Sequence, residues 1–387
     1  MATLVGDVRL EDPVAVGPSP GHDSARLLVW SGDTPLGEIR LPLPVTGLTG
    51  ADLVAAVRAQ LGARPSVSSP GGAPVTRTLI SVVVASHERT ASLLRCLDSL
   101  QRLRHQPSEV IVVDSAPASD RTAQALADRV GGVPLRYLRT DRPGVAHAHN
   151  LALARVRTDI VAFTDDDVIV HPNWTAALGG AFTDDDIVCA TGLILPAELD
   201  TPAQQLIEDL GGYARGFERR RLSTAAPPPD PLFPFTVGRL GSGANMAFRT
   251  DWLRGRGGFD AAIGTGTPAR GGDDLAAFAD VLLDGRVLVY EPGAVVRHVH
   301  RRELGELRKI IHSYGYGLSA YLLSTIACRP QALPMMLRRG AGAVRYLAAP
   351  ASPRNRGKGP GLTLLELAGV LAGPWGYLRS RWRYRDG

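Results

Sequence analysis

From Thr78 onward the chain alternates apolar runs of strand length with segments of helical periodicity, and this alternation restricts the fold more than any other feature. Residues 79–85 read as a buried strand, 91–103 as a helix, 109–113 as a second strand and 120–130 as a second helix. A run at 135–138, a helix beginning near Val145 and a strand ending at Phe163 continue the series. Alternation of this kind predicts right-handed crossovers and an α/β fold: a mainly parallel sheet with helices on both faces. Open sheets of this type bind ligands beyond the carboxyl ends of their strands, so the residues that follow each apolar run carry the chemistry.

The pentapeptide Phe-Thr-Asp-Asp-Asp occurs twice, at 163–167 and 182–186. Three adjacent carboxylates repel one another and therefore recruit a cation or stay solvated. The first copy emerges from the strand that ends at Phe163. The second follows residues 173–182, whose apolar positions Trp174, Ala177, Leu178, Ala181 and Phe182 repeat with helical spacing, and it precedes an apolar run at 187–190. We therefore read the first as functional and the second as a solvated helix-to-strand turn.

The chain has 387 residues, 44% hydrophobic and 21% charged, enough for two or three domains with a substantial core. Only two of its 43 basic residues are lysines, Lys309 and Lys358. Together with abundant Ala, Gly and Pro, that bias points to a GC-rich genome rather than to phosphate binding, and no nucleic-acid partner is expected. Cys96, Cys189 and Cys328 are widely spaced and form no Cys-x-x-Cys pair, which fits a reducing compartment. No secretory pattern opens the sequence, and no uninterrupted apolar stretch reaches membrane-spanning length; the expected location is cytoplasmic.

Residues 1–63 read as a small unit, with a β-hairpin from 25–30 and 36–41 around a turn and a helix over 50–61. Residues 64–77, rich in Pro, Gly and Ser, read as a linker. The segment 78–301 is the expected catalytic domain, with 201–234 irregular, and 302–387 is helical.

Several ordered segments within 78–301 resemble glycosyltransferase family 2, in an actinobacterial-type form with extra terminal regions. They are 81–89, the strand ending at Asp114, 144–150, 163–167, 241–249, 258–260 and 271–274. The resemblance implies a GT-A fold: a Rossmann-like mixed sheet flanked by helices, here with a small β-rich N-terminal domain and a C-terminal helical region. It implies an inverting, metal-dependent transfer of sugar from a nucleoside-diphosphate sugar, UDP-sugar favoured, to a hydroxyl-bearing acceptor.

The residue types support that chemistry. A departing diphosphate gathers negative charge that a hard divalent cation such as Mn²⁺ or Mg²⁺ neutralises through oxygen ligands. The resemblance makes Asp167 the main metal ligand, puts Asp165 on ribose or metal and Asp166 beside the nucleotide sugar, and offers His298 to complete the metal shell. His298 is equally open to a structural reading, and the neighbouring His300 is the poorer match. Asp114 falls where the family recognises the base, with a turn cap as the alternative. Ser86, His87, Glu88 and Arg89 would line the same pocket, though Arg89 could instead cap the first helix. Asn150 matches a family Asn, but His149 stands where Arg is frequent, leaving phosphate contact and a packed helix histidine both open. Asn245 and Asp273 belong to the donor-binding set, Asp273 where Glu is common. Asp274 is the expected catalytic base, against the alternative of two acids opening a helix. The segment 264–272 reads as a mobile loop able to close over the donor.

The C-terminal tail interleaves Trp375, Tyr377, Trp382 and Tyr384 with arginines, compatible with peripheral contact on an anionic membrane or with packing on the catalytic domain. Two other function classes compete. A nucleotidyltransferase predicts a glycine-rich phosphate loop after the first strand, whereas 86–89 contains no glycine. A noncatalytic carbohydrate-binding or scaffolding protein would have no need for the ordered carboxylates.

Overall fold

The computed structural model describes residues 2–62, 79–127, 129, 132–349, 351–352, 354–355 and 357–384. The linker expected at 64–77 lies outside the described residues.

The N-terminal unit is a three-stranded sheet of β1 (Ala2–Arg9), β2 (His22–Ser31) and β3 (Thr34–Pro42), with α1 (Gly50–Leu61) laid against it. The antiparallel β2 and β3 turn at Ser31↔Thr34, and β1 runs parallel to β2. Thr49 starts α1 with a reciprocal cap: its hydroxyl accepts from the Asp52 amide, and the Asp52 carboxylate accepts from the Thr49 amide. Side chains of β2 alternate between two interiors. Ala25, Leu27 and Val29 fill the unit's own core, while Leu28 and Trp30 join Leu193, Leu195 and Val295 of the main body. A strand buried on both faces needs the continuous apolar run seen at 27–30.

The main body proceeds through β4 (Ile80–Ser86), α2 (Thr90–Gln101), β5 (Glu109–Ser115), α3 (Arg121–Ala127), β6 (Leu135–Thr140), α4 (Val145–Leu153) and β7 (Ile160–Asp165). It continues with β8 (Val168–Val170), α5 (Trp174–Gly180), β9 (Ile187–Pro196), α6 (Pro202–Asp209), β10 (Arg220–Leu222), β11 (Asn245–Arg249), α7 (Thr250–Gly255), α8 (Asp273–Leu283) and β12 (Val287–His298). Among the described residues nine strands form one mixed sheet ordered β10-β12-β9-β11-β7-β4-β5-β6, with β8 paired to β12. The block β7-β4-β5-β6 is parallel, and β11 is inserted antiparallel between β7 and β9. Successive residues of β7 point into opposite layers: Val161 and Phe163 into one, Ile160 and Ala162 into the other.

Register brings the acids together. Ser86 of β4 lies opposite Asp114 of β5, and Ala85 lies opposite Asp165 of β7, so the three strand ends share one edge. The strand β7 runs two residues beyond the expected end at Phe163, because Thr164 and Asp165 still pair with β4. The antiparallel β8–β12 pair sets Val168 opposite His298. The amide of Val299 then donates to the carbonyl of Asp167 at 2.9 Å, fastening the end of β12 to the acidic turn.

Two segments gain definition. The irregular segment 201–234 contains α6, started by a capping box of Thr201 and Gln204. The segment 264–272, expected as a mobile loop able to close over the donor, is internally hydrogen-bonded through Gly264 to Gly271, Thr267 to Gly264 and Arg270 to Thr267, with Ile263 and Ala269 buried at its flanks and within it.

The C-terminal helices are α9 (Leu304–Cys328), α10 (Leu333–Ala348) and α11 (Pro360–Arg383). A Cβ on Gly315 would lie 2.0 Å from the Glu366 carbonyl, and one on Gly369 would lie 2.1 Å from the His312 carbonyl, so α9 and α11 meet backbone to backbone. The tail divides its aromatics: Tyr377 is buried and Tyr384 packs edge-on against His147, whereas Trp375 and Trp382 are exposed. Among the described residues no helix is long and apolar enough to cross a membrane.

Candidate active site

Asp165, Asp167 and His298 each present one ligand atom, and all three atoms lie within 4.8 Å of one another. Two carboxylates at this spacing repel by roughly 3–4 kcal/mol at the effective dielectric of a protein site. Asp167 is relieved of that repulsion by cations: although burial opposes its ionisation, His298 at 3.3 Å, Arg89 at 3.0 Å and Arg301 at 3.6 Å hold its carboxyl below the ordinary range. Asp165 lacks these ion pairs, and burial followed by the charge of Asp167 pushes its carboxyl up. Two carboxylate oxygens and one imidazole nitrogen make a mixed donor set suited to a first-row divalent ion. The uncompensated carboxylate at Asp165 is what such an ion would neutralise, so the residues fit a metal.

Asp166, the middle acid, turns the other way. It accepts from the Ser86 hydroxyl at 2.7 Å and from Arg89 at 3.1 Å, and burial raises its carboxyl. Arg89 occupies the cap position of α2, but its guanidinium has no acceptor for the helix amides and bridges Asp166 and Asp167.

At the neighbouring strand end Asp114 is fully buried, which raises its carboxyl, and its Oδ2 accepts from the Tyr137 hydroxyl at 2.9 Å. Its Oδ1 has no hydrogen-bond partner among the described residues. The intervening loop is pinned on both sides. His87 Nδ1–H donates to the Ser115 carbonyl at 2.7 Å, and the Glu88 carboxylate accepts from the amides of Ala118 and Ser119 at 2.7 and 3.1 Å.

Asp273 and Asp274 open α8 behind Gly272, whose φ of 96° suits glycine. Asp274 accepts from the Gly243 amide through Oδ2 and from the Leu275 amide through Oδ1, both at 2.8 Å. These bonds orient the carboxylate and favour its ionised form, but burial outweighs them and raises it. Asp273 is buried beside it, and burial followed by the charge of Asp274 raises it as well. The charge of Asp274 adds to the upward push on Asp165, so the start of α8 lies near the acidic turn.

Three residues expected at the donor find their partners in the interior. His149 on α4 is wedged between Phe163 and Phe259, ring centroids 4.7 and 5.2 Å away, because the inner face of a helix packed on a sheet must be filled. Burial holds its imidazole down to about 3, in keeping with the packed helix histidine. Asn150 brackets Phe259, donating to its carbonyl and accepting from its amide, each at 2.8 Å. Asn245 accepts from the Trp174 indole at 2.8 Å and donates to the Leu193 and Ala294 carbonyls, tying β11 to β9 and β12.

The structure adds residues that sequence reasoning passed over. Tyr137 reaches Asp114 from β6, and Arg301 reaches Asp167 from the residues after β12. Tyr213 packs on both His298 and His300, at 5.3 and 5.5 Å. The alternation of strand β6 points Tyr137 to the Asp114 side and was a usable signal; Tyr213 sits in an irregular stretch without one.

Residues 81–241 match the family model described as glycosyl transferase family 2. Two curated relatives, both pre-mycofactocin glycosyltransferases of Mycobacterium tuberculosis (strains CDC 1551 / Oshkosh and ATCC 25618 / H37Rv), are 26% identical over 262 residues. That alignment covers 68% of this chain and 51% of each relative, so the chain spans about half the length of the curated relatives it matches. Among solved structures, the mannosyltransferase PcManGT from Pyrobaculum calidifontis, in complex with GDP-Man and Mn²⁺, superposes with a TM-score of 0.52 at 19% identity, covering 77% of this chain and 88% of that one. The superposition shows a shared GT-A architecture. The segment 81–241 thus carries a glycosyl transferase family 2 match within a GT-A architecture.

Proposed function

We propose that the protein is a metal-dependent, inverting glycosyltransferase that moves a sugar from a nucleoside-diphosphate sugar, UDP-sugar favoured, to a hydroxyl of a natural product, glycolipid or cell-surface glycan. The observation that carries this reading is the convergence of Asp165, Asp167 and His298 at the strand edge shared with Asp114. The names of the relatives and of the Mn²⁺-containing structural neighbour support it.

Asp165, Asp167 and His298 would hold Mn²⁺ or Mg²⁺, which when bound supplies positive charge to the departing diphosphate. Asp114 receives the base. Its unpaired Oδ1 is an interior acceptor that a ring N–H of a uracil or a guanine would satisfy. Asp274 takes the proton of the acceptor hydroxyl as that oxygen attacks the anomeric carbon opposite the leaving group. Burial raises its basicity toward the working range of a general base, and the two amides fix its direction. Arg89 and Ser86 keep Asp166 turned away from the metal ligands.

We further propose peripheral membrane contact through α11. Leu364, Leu371, Trp375, Leu378 and Trp382 are all exposed, recur at helical spacing and are flanked by Arg379, Arg381 and Arg383.

The function is tested by incubating purified protein with a panel of UDP-, GDP- and dTDP-sugars, with Mn²⁺, Mg²⁺ or EDTA. Metal-dependent release of nucleoside diphosphate from a sugar nucleotide is the expected result. Binding and hydrolysis of none of them would refute the reading, and release of pyrophosphate from a nucleoside triphosphate would replace it with nucleotidyl transfer.

A further inference from the structure

A cavity of about 570 Å³ opens where the turn at 264–272, α9 and the start of α11 meet, lined by Arg270, Arg308, Lys309 and His312 together with Leu362 and Leu365. That volume is of small-molecule size and exceeds what a lone inorganic ion requires. Arg308 and His312 stand one helical turn apart on α9 and so share a face.

The charges of the lining are unbalanced. No carboxylate belongs to it. Among the described residues Lys309 pairs with Glu306 at 2.7 Å, whereas Arg270 and Arg308 make no ion pair. Glu366, next to Leu365 in sequence, is already occupied by Arg354 and Lys358. The N-terminus of α11 also reaches the cavity through Gly359 and Gly361, and no side chain caps it. Its aligned peptide dipoles add partial positive charge there.

Arg270 is held in place. Its backbone takes a left-handed φ of 64°, and its guanidinium lies 4.9 Å from the centre of the Tyr316 ring. Its Nη1 donates to His312 Nδ1 at 3.4 Å. A neutral imidazole that accepts at Nδ1 bears its hydrogen on Nε2, which leaves one more donor on this residue. The same turn leads to Asp274. Arg270 precedes Asp274 by four residues, which limits their Cα separation to about 14 Å. Between them Gly272 rests directly on α9: a Cβ there would lie 2.6 Å from the Gly317 carbonyl.

We propose that this cavity is a phosphate subsite for the acceptor. Arg270, Arg308 and the start of α11 hold the phosphate, and Leu362 and Leu365 lie against the adjoining hydrocarbon. A phosphate monoester carries about −1.5 to −2 at neutral pH, which matches two uncompensated guanidinium groups better than a single carboxylate does. The acceptor is then a hydroxyl compound that bears a phosphate within reach of Asp274. This rests on the glycosyl-transfer reading above.

The subsite is tested by ³¹P NMR titration of inorganic phosphate into the full chain in EDTA, which keeps divalent metal out of the measurement. Saturable binding is expected in wild type and in Asp167→Ala. It should weaken about 10-fold in Arg308→Gln and in Arg270→Gln and recover in Arg308→Lys. Arg58→Gln, at an exposed position of α1, controls for general charge, and thermal melts identify the variants that remain folded. Absence of saturable binding in wild type, or equal weakening by Arg58→Gln, overturns the subsite.

The acceptor role is tested by metal-dependent release of nucleoside diphosphate from the sugar-nucleotide panel in the presence of matched pairs. These are glycerol 3-phosphate against glycerol, and lysophosphatidic acid against monoacylglycerol. A phosphorylated member should raise turnover above that with water, and Arg308→Gln should raise its KM about 10-fold at nearly constant kcat. Which pair responds distinguishes a soluble phosphate from a lipid headgroup. Neutral members as effective as the phosphorylated ones, or no stimulation by either phosphorylated member, overturns the acceptor role. A wild-type chain that binds phosphate but releases nucleoside diphosphate from no sugar nucleotide removes the transferase reading and leaves the anion site standing.

Discussion

His298 Nε2 lies 3.3 Å from Asp167 Oδ1, and the amide of the next residue, Val299, is hydrogen-bonded to the Asp167 carbonyl at 2.9 Å. The last strand of the main sheet thus grips the acidic turn by both side chain and backbone. Distance in sequence is irrelevant once β8 and β12 pair, because their register leaves the imidazole and the carboxylate on one edge.

Asp274→Asn should retain donor binding and lose transfer, by roughly 10²- to 10⁴-fold in kcat. The Asn side chain can still accept from one of the two amides, so the change removes the base and spares its setting. In the wild type, burial raises the Asp274 carboxyl, so the acid limb of kcat/KM should fall at a pH above the ordinary carboxylate range. A pH–rate profile with its acid limb near an unperturbed aspartate would argue for another base.

His149→Phe should leave donor binding intact and flatten the loss of stability in acid. The His149 imidazole is held down to about 3, against the usual value near 6.5, so the unfolded chain binds a proton that the native state refuses. Its contribution is present above about pH 6.5 and is lost as pH falls toward 3, at a cost on the order of 5 kcal/mol at the acid end. Urea denaturation at neutral and acidic pH measures the difference, and an unchanged pH dependence would contradict the assignment.

Much of the candidate site's placement was legible because a strand of apolar residues that ends in acids must deliver them to a sheet edge; Asp114 and Asp165 are of this kind. His149, Asn150 and Asn245 were not, since a motif fixes a position along the chain and not the direction of a side chain. The helix that carries His149 needs its inner face filled, and Phe163 and Phe259 flank that slot. Asn245 begins a strand whose three neighbours have carbonyl and indole groups to satisfy. The ion pair of Arg26 with Glu208 spans a sequence separation of 182 and depends on how the N-terminal sheet docks, which no local pattern announces.

Replacing Trp375 and Trp382 with Ser should reduce sedimentation with anionic phosphatidylglycerol vesicles and leave sugar-nucleotide binding unaltered. Both indoles are exposed, at 71% and 74%, so their removal costs the fold little. Rising salt should weaken the wild-type association by screening the arginines of the same helix. Equal partitioning of variant and wild type would contradict the membrane proposal.

The two copies of Phe-Thr-Asp-Asp-Asp have opposite surroundings and so provide the test of the central claim. In the second copy Asp184 pairs with Arg221 at 2.7 Å and Asp186 with Arg286 at 3.0 Å, both at the surface, while Asp185 is fully exposed. Isothermal titration of UDP into wild type, Asp167→Ala and Asp186→Ala, each with and without Mn²⁺, separates a metal-diphosphate site from a solvated turn. The account predicts Mn²⁺-dependent binding in wild type and Asp186→Ala and its loss in Asp167→Ala. Equal affinity in wild type and Asp167→Ala would contradict it.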